Sequence, residues 1–329
     1  MLPSYEKDFI CLDKTDDTAL ESQPEHFISL PLVSKSEESA GLPLVVNVVA
    51  KYWGEDISPQ VAGTKGTAMI DGIMLAESRG FASYIYKSSI KDLKKRIDQG
   101  IPPIVIMPGI QGTVQHAMVV SGYSSEERRM LTYVPEPNTV GAIPESKFEQ
   151  DWDQDDMTAI VIIPSDMKDL LKSESLKFAR SNRICFEAEG LRQRGRVNDA
   201  VEKLRKATEI DADNAQTWCL LAGIYNETNS DQAVPCYERA LKLNPKYYLA
   251  YRGLGNYYLR KKDYSLAEAY YSKAIGVNPT RFGPIYKNRA IARMQLANNQ
   301  GTKDDLAKYL EQTPAAEDRK SIEEALAQL

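Results

Sequence analysis

Over residues 250–279 the chain reads AYRGLGNYYLRKKDYSLAEAYYSKAIGVNP, and this stretch decides the fold of its second half. Large and small residues recur at helical spacing, at Tyr251, Leu254, Gly255 and Tyr258 and then at Ala267, Tyr271, Ala274 and Pro279. The polar turn KKD separates the two periodic segments. Small residues at Gly255 and Ala267 allow two helices to approach closely while the aromatic rings fill the space around them. The stretch therefore predicts a helical hairpin.

The same pattern recurs with a period near 34 residues. Equivalent positions are Ala200, Ala233 and Ala267, then Ala207, Ala240 and Ala274, then Ala212, Pro245 and Pro279. A fixed period of this length is typical of stacked helical hairpins, in which each unit buries its apolar face against the next. These residues resemble the tetratricopeptide repeat family, and the resemblance implies an all-α solenoid. We assign three clear repeats and one degenerate repeat to residues 182–314, and a C-terminal capping helix to 315–329.

The first half of the chain has a mixed α and β pattern. Short apolar runs such as PIVIMP, QHAMVVSGY and TAIVIIP alternate with amphipathic stretches, which predicts strands between helices. Helices are expected over 42–53, 71–79 and 89–99, and strands over 82–87, 103–108, 115–123, 129–134 and 158–164. The strand signal stops near Pro164. We therefore expect an irregular arm over 1–26, one α+β domain over 27–165, and a linker helix over 166–181.

Composition excludes several classes of protein. The net charge of -5, without clustered Lys and Arg, gives no reason to expect a nucleic-acid partner. No apolar window reaches the roughly 18–20 residues that span a bilayer. We expect a cytoplasmic protein, or a secreted or periplasmic one if a signal peptide has been removed. The 4 cysteines and 2 histidines show no metal-ligand spacing, so neither a metal nor another cofactor is expected.

Residues 41–54, GLPLVVNVVAKYWG, contain the helix predicted over 42–53 and end in an aromatic pair and glycine. Later landmarks are HAMVVSGY at 116–123, TYVPEPN at 132–138, and the aromatic residues Phe148 and Trp152. Together these motifs resemble the papain-like family of bacteriocin-processing, double-glycine-leader cysteine peptidases. The resemblance implies a bacterial protein whose N-terminal domain, over 27–165, has an α+β papain-like fold.

In that family a cysteine opens the buried helix, and this chain has none there. Alignment on the helix and its aromatic ending places Gly41 at the nucleophile position, and a shift of one residue places Ala40 there. Neither residue has a nucleophilic atom, which covalent catalysis requires. The resemblance assigns the general base position to His116 and the orienting carboxylate position to Glu136. We therefore expect a pseudopeptidase with no catalytic residues, in which Gly41, His116 and Glu136 are relict triad positions.

Several alternatives stay open. Ser36 or Ser39 could replace the missing thiol, or the N-terminal arm could carry Cys11 into the cleft. Either case would give an active papain-like peptidase or acyl-transfer enzyme that uses His116 as its base. Alternatively, His116 is a structural histidine and Glu136 a solvent-facing carboxylate in a turn. The array could also serve only for self-association.

Tetratricopeptide arrays bind peptide segments in a concave groove lined by the first helix of each repeat, and the resemblance implies the same here. Arg252 and Asn256 are separated by one helical turn and lie along one face, and Lys287 falls near the equivalent place in the next hairpin. These three side chains could hold a carboxylate or an acidic peptide, although a solvated polar face would look similar. We therefore expect a noncatalytic protein–protein interaction adaptor, with a peptide in the repeat groove and a leader-like peptide as a possible occupant of the relict cleft.

Overall fold

The computed structural model describes residues 24–31, 41–57, 68–109, 113–135 and 139–329. The chain divides into two compact units. The sheet unit comprises Met1–Pro108 and Gln115–Thr217, and the repeat unit comprises Gly109–Val114 and Trp218–Leu329. In the described part of the chain, no helix combines the length and the apolar character needed to cross a membrane.

A seven-stranded antiparallel sheet forms the centre of the sheet unit. Its strands are β1 (His26–Phe27), β2 (Phe81–Lys87), β3 (Ile104–Pro108), β4 (Gln115–Ser124), β5 (Arg129–Val134), β6 (Thr139–Pro144) and β7 (Thr158–Pro164). The strand order is β2-β7-β3-β4-β5-β6, and β1 pairs with β4. At Gly122 an added Cβ would lie 2.4 Å from the His26 carbonyl oxygen, so glycine is what allows β1 to pair this closely with β4.

Helices cover the sheet. They are α1 (Gly41–Tyr52), α2 (Met69–Ser78), α3 (Ile90–Asp98), α4 (Glu145–Asp153), α5 (Asp169–Lys172), α6 (Ala179–Gln193) and α7 (Val197–Ile210). Helix α1 packs against β4, β7 and α2, and its residues 44–50 are all buried. A helix that is apolar on every face belongs in the interior of a domain, which explains why α1 lies at the centre of the main core.

The helical hairpin α6–α7 belongs to the sheet unit. Helix α6 packs on β2 and α2, and Arg183 on α6 makes a two-pronged ion pair with Glu77 on α2 at 2.7 and 2.9 Å. The compact unit therefore extends to Thr217, past residue 165, where the sequence places the end of the first domain. Periodicity locates the last strand correctly, but it carries no information on which partner the next hairpin packs against.

The repeat unit is built from helical hairpins. Its helices are α8 (Ala215–Glu227), which starts at the boundary, α9 (Ala233–Leu243), α10 (Tyr248–Arg260), α11 (Tyr264–Val277), α12 (Pro284–Gln295), α13 (Asn299–Gln312) and α14 (Arg319–Gln328). A Cβ added at Gly255 would lie 2.5 Å from Cδ1 of Tyr271, and Ala267 and Ala274 are fully buried. The close approach of α10 and α11 that the sequence predicts at Gly255 is therefore confirmed.

The predicted fold class, an α+β domain followed by an all-α array, is confirmed. Every predicted strand and each of the three predicted N-terminal helices is present, with ends that differ by one or two residues. Among the described elements of this domain, β1, β6 and α4 were not predicted. The first is only two residues long, and β6 contains a glycine and a proline, which weaken any strand signal. Helix α4 is short and begins after Pro144 without a side-chain cap, so no start signal marks it.

Candidate functional site

His116 lies in β4, opposite Met107 of β3, and is buried. Its Nδ1 is within hydrogen-bond distance of the Pro108 carbonyl oxygen. Because a carbonyl can only accept, Nδ1 carries the proton and donates it. In a catalytic triad this nitrogen donates to the orienting side chain, so here a main-chain carbonyl holds the imidazole in place.

Of the other proposed triad positions, the structure describes only Gly41. Gly41 is the first residue of α1, the helix that packs against β4, which carries His116. Ala40 and Glu136 lie outside the described residues. So do the alternative nucleophiles Cys11, Ser36 and Ser39.

The aromatic landmarks of the first domain act as anchors. At the end of α1, Tyr52 donates from its hydroxyl to the Gly100 carbonyl at 2.9 Å, and Trp53 donates from Nε1 to the Ile162 carbonyl at 3.0 Å. Phe148 and Trp152 are fully buried, and Trp152 Nε1 donates to the Thr158 carbonyl at 3.0 Å. Buried Trp and Tyr need a partner for their polar atom, and each of these has a carbonyl. The motifs that carry the resemblance therefore hold the domain together.

Three of the four cysteines are described, and all three are buried: Cys185, Cys219 and Cys236. Burial raises the pKa of Cys185 to about 12. A thiol is nucleophilic only as the thiolate, so Cys185 is unreactive at neutral pH. Within the described ranges, no group of three His, Cys, Asp or Glu side chains is arranged to hold a metal ion.

The three predicted groove residues differ in their surroundings. Asn256 accepts a hydrogen bond on Oδ1 from the Tyr271 hydroxyl at 2.8 Å. Lys287 forms an ion pair with Asp318 at 2.9 Å, and this hydrogen bond raises the pKa of the lysine. Arg252 is half-buried, its guanidinium lies 4.7 Å from the centre of the Phe282 ring, and its Nε is buried without a hydrogen-bond partner. Of the three, only Arg252 has a buried donor without a hydrogen-bond partner.

A second arginine in this region was not predicted. Arg281 lies in the connection between α11 and α12, its guanidinium is 4.5 Å from the centre of the Tyr248 ring, and it is buried. It donates from Nε and Nη2 to the Val114 carbonyl, at 3.3 and 3.2 Å, within the repeat unit. Arg281 follows Pro279, where the repeat pattern has ended, so periodicity gives no signal for its role. Its basic side chain beside Phe282, in an otherwise turn-like stretch, is the only sequence cue.

Comparison with known proteins supports both halves of the assignment. The model of the Peptidase_C39 like family matches residues 43–160, and that of the tetratricopeptide repeat matches residues 225–281. This chain contains a Peptidase_C39-like domain and a tetratricopeptide repeat. The Peptidase_C39-like match starts two residues after Gly41, and it includes α1 from Pro43 onward, His116 and the aromatic landmarks.

Similar individual proteins are tetratricopeptide repeat proteins. Tetratricopeptide repeat protein 6 of Homo sapiens is 40% identical over 63 residues, which are 19% of this chain and 12% of that protein, so the match spans a small part of the curated relative. PilF of Pseudomonas aeruginosa is 21% identical, with 45% of this chain and 68% of that chain covered at a TM-score of 0.42. A thermophilic TPR protein of Thermus thermophilus is 19% identical, with 50% and 88% covered at a TM-score of 0.39.

Proposed function

We propose that this protein is a noncatalytic protein–protein interaction adaptor, in which a pseudopeptidase domain is joined to a peptide-binding tetratricopeptide array. The observation that carries the proposal is the start of α1 at Gly41, the position at which a cysteine peptidase would hold its nucleophile. Glycine has no side-chain atom that can attack a carbonyl. Loss of the nucleophile removes most of the catalysis because the members of a triad act as a unit.

The surroundings of His116 agree with this proposal. Its Nδ1 donates to the Pro108 main-chain carbonyl, whereas in a catalytic triad this nitrogen donates to the orienting side chain. The described thiols are buried, and two of the three belong to the repeat unit. A nucleophile would therefore have to come from residues such as Cys11, Ser36 or Ser39.

Chemical labelling tests the proposal that the protein is noncatalytic. The full-length protein is incubated with a chloroacetamide probe for cysteine and a fluorophosphonate probe for serine, and adducts are located by mass spectrometry. We expect no adduct that depends on His116, with the His116→Gln variant labelled at the same rate as the wild type. The urea-unfolded chain, with all 4 cysteines exposed, controls for probe reactivity. An adduct at Cys11, Ser36 or Ser39 that falls at least tenfold in His116→Gln, with an unchanged circular dichroism spectrum, would establish an active enzyme.

In the second part of the proposal, a peptide binds in the groove of the repeat unit, close to Arg252, Asn256 and Lys287. The support is that Arg252 lies on α10 with a cation that no described group neutralises. A protein partner follows from the repeat itself, and an acidic segment follows from the basic side chains in the groove.

Peptide display tests the proposal that the repeat unit binds a peptide. A random decapeptide library is selected on the full-length protein, and the enriched peptides are crosslinked to map their site. We expect acidic peptides that crosslink to α10 and α12 and that lose binding in Arg252→Glu but not in Lys273→Glu, an exposed lysine on α11 in the same unit. Crosslinks to α1 and β4 would instead identify the relict cleft as the binding site, and a selection without enrichment would contradict peptide binding altogether.

A further inference from the structure

The repeat unit includes a short segment from the first half of the chain. Gly109–Val114, which connects β3 to β4, belongs to this unit together with the residues from Trp218 onward. The structure describes Gly109, Thr113 and Val114 of this segment. A helical array buries its apolar faces between neighbouring hairpins, so the repeat pattern does not require such a segment. Its presence therefore needs a separate explanation.

Arg281 holds this segment by its main chain. The Val114 carbonyl oxygen accepts from Nε of Arg281 at 3.3 Å and from Nη2 at 3.2 Å, although the two residues are 167 positions apart in the sequence. Arg281 is 4% exposed, and a buried guanidinium needs acceptors for its N–H groups. The positive charge of the donor strengthens both hydrogen bonds. Removal of the segment would take this acceptor away from two buried N–H groups.

The segment has a closed neck that fixes the position of this carbonyl. The Gly109 amide donates to the same Val114 oxygen at 3.0 Å. An added Cβ at Gly109 would lie 1.7 Å from the Thr113 carbonyl oxygen, so a side chain there would force the main chain apart. Three N–H groups therefore converge on one main-chain oxygen, and a substitution at Gly109 would move that oxygen.

The Val114 carbonyl is bound beside the predicted groove residue Arg252. The Arg281 guanidinium lies 4.5 Å from the centre of the Tyr248 ring, and Tyr248 is one helical turn before Arg252 on α10. The Arg252 guanidinium lies 4.7 Å from the centre of the Phe282 ring, and Phe282 directly follows Arg281. The two arginines and the two rings therefore form one cluster, to which the segment contributes an acceptor.

We propose that Gly109–Val114 is an intramolecular ligand of the repeat groove, and that an external peptide displaces the Val114 carbonyl from Arg281 when it binds. Every peptide offers main-chain carbonyls, so a second chain can replace this acceptor without a matching side chain. The bond of Arg289 to Asp305 differs, because its acceptor is a specific carboxylate. This inference rests on the proposed function and deepens it, because it names what regulates the groove.

Competition of this kind lowers the apparent affinity of the groove for other peptides. A groove that is free for only about a tenth of the time binds an external peptide about tenfold more weakly than a groove that is always free. Release of the segment should therefore strengthen peptide binding. Loss of a contact that only supports the groove would weaken binding instead, so the direction of the change separates the two roles.

Substitution at Gly109 releases the segment without changing any residue of the helices. We expect the display-selected peptides to bind the full-length Gly109→Ala variant at least fivefold more tightly than the wild type, measured by isothermal titration calorimetry. Gly276→Ala on α11 is the matched control, because nothing lies within 4 Å of its added Cβ, and it should bind like the wild type. An unchanged circular dichroism spectrum checks that both variants fold.

Hydrogen exchange follows the segment in the wild type. Because the Gly109 amide donates to the Val114 oxygen, its exchange rate, measured by nuclear magnetic resonance, reports whether the neck is closed. We expect a saturating selected peptide to raise this rate at least tenfold. The Lys87 amide, which donates to the Lys177 carbonyl at 2.8 Å in the sheet unit, should be unaffected. Without peptide, Arg281→Leu should raise the Gly109 rate as well.

Two outcomes would overturn the proposal and leave the proposed function intact. In the first, the selected peptides bind without raising the Gly109 exchange rate and have equal affinity for the wild type and Gly109→Ala. In the second, a normally folded Gly109→Ala variant binds them more weakly, so that the segment supports the groove and does not compete for it. Failure of the proposed function looks different, since no peptide is then enriched in the selection.

Discussion

Two arginines, one in each unit, have opposite surroundings. Arg96 on α3 is fully buried, and every N–H direction has an acceptor: Tyr86 Oη at 3.2 Å, Gln99 at 3.1 Å, Asp92 at 2.7 Å, and both oxygens of Glu174. Arg252 on α10 lies among aromatic rings, and its buried Nε has no acceptor. Arg96 therefore stabilises the sheet unit through hydrogen bonds that are all satisfied, whereas Arg252 is a cation without a paired anion in the repeat unit.

This difference gives a criterion for distinguishing arginines that stabilise the fold from arginines that are available to a ligand. A guanidinium whose donors are all satisfied has nothing left to offer a ligand, and its removal strands the carboxylates that it held. A guanidinium without acceptors adds little to folding, because it has already lost its water without gaining a partner. Stability and binding measurements should therefore rank the two arginines in opposite orders.

The largest expected effect is that of Arg96→Leu. It leaves Asp92 and Glu174 without their shared cation, and we expect the free energy of unfolding of the sheet unit to fall by about 3–5 kcal/mol. Urea unfolding in a Trp218→Phe background measures this, because Trp53 and Trp152 then report on the sheet unit alone. Lys95→Leu is the matched control: this half-exposed lysine bonds to the same Glu174 at 2.7 Å and should cost less than about 1 kcal/mol. Equal losses in the free energy of unfolding would show that the buried hydrogen bonds of Arg96 stabilise the sheet unit no more than a half-exposed ion pair does.

A second substitution tests the rings around Arg252. Gly255→Ala would bring a Cβ to 2.5 Å from the Tyr271 ring, one of those that interact with the Arg252 charge. We expect a loss of about 1–3 kcal/mol in the stability of α10 and α11, measured by hydrogen exchange. Gly276→Ala on α11 is the control, because nothing lies within 4 Å of its added Cβ. That change should stabilise the helix by about 0.5–1 kcal/mol, and a loss at Gly276 as large as at Gly255 would contradict the packing argument.

The pH dependence of the sheet unit offers a third test. The hydrogen bond from Arg96 lowers the pKa of Glu174 to about 2, below its ordinary value of 4.5. Because the pKa is lower in the folded protein, the stabilisation is fully present above pH about 4.5 and is lost as the pH falls toward about 2. After allowance for solvent screening we expect an effect of about 1 kcal/mol. Glu174→Gln should flatten the pH dependence of urea unfolding over this window, and an unchanged slope would show that the Arg96 bond does not set this titration.

The smallest expected effect is that of Arg252→Leu. No described carboxylate loses a partner, and the lost ring contact with Phe282 is offset by removal of a desolvated cation, so stability should change by less than about 1 kcal/mol. Arg289→Leu is the matched control in the same unit, since it removes two hydrogen bonds from Asp305, which is 3% exposed, and leaves that carboxylate its pair with Arg293 at 3.1 Å. Hydrogen exchange over α10–α13 compares the two variants. If Arg252→Leu costs as much stability as Arg289→Leu, the contrast between Arg96 and Arg252 is false.

Much of the fold was predictable because it follows from periodic patterns. The helix predicted over 42–53 is present as α1, with each end one residue from the predicted one. The helix predicted over 89–99 is present as α3, and the hydroxyl of Ser89 caps it by accepting from the Asp92 amide at 3.2 Å. The attachment of α6 to the sheet was not predictable, because it depends on Arg183 meeting Glu77 across more than a hundred residues.

The candidate site was predictable only in part. Spacing predicts Arg252, Asn256 and Lys287 as groove residues, and the side chains of Asn256 and Lys287 have partners within the fold. Only the structure shows that the buried Nε of Arg252 has no hydrogen-bond partner, because this depends on how distant segments pack around it.

The sequence by itself determined the two fold classes, the repeat period, the close helix approach at Gly255 and the absence of a cysteine at the start of α1. These features follow from the side-chain types and their spacing along one segment, which a linear chain contains in full. Only the tertiary structure decided which arginine has an acceptor for every N–H group and which does not. It also decided where the first compact unit ends. Those outcomes depend on desolvation and on partners far away in the chain, and the free energy of a buried charge is set by what surrounds it in space.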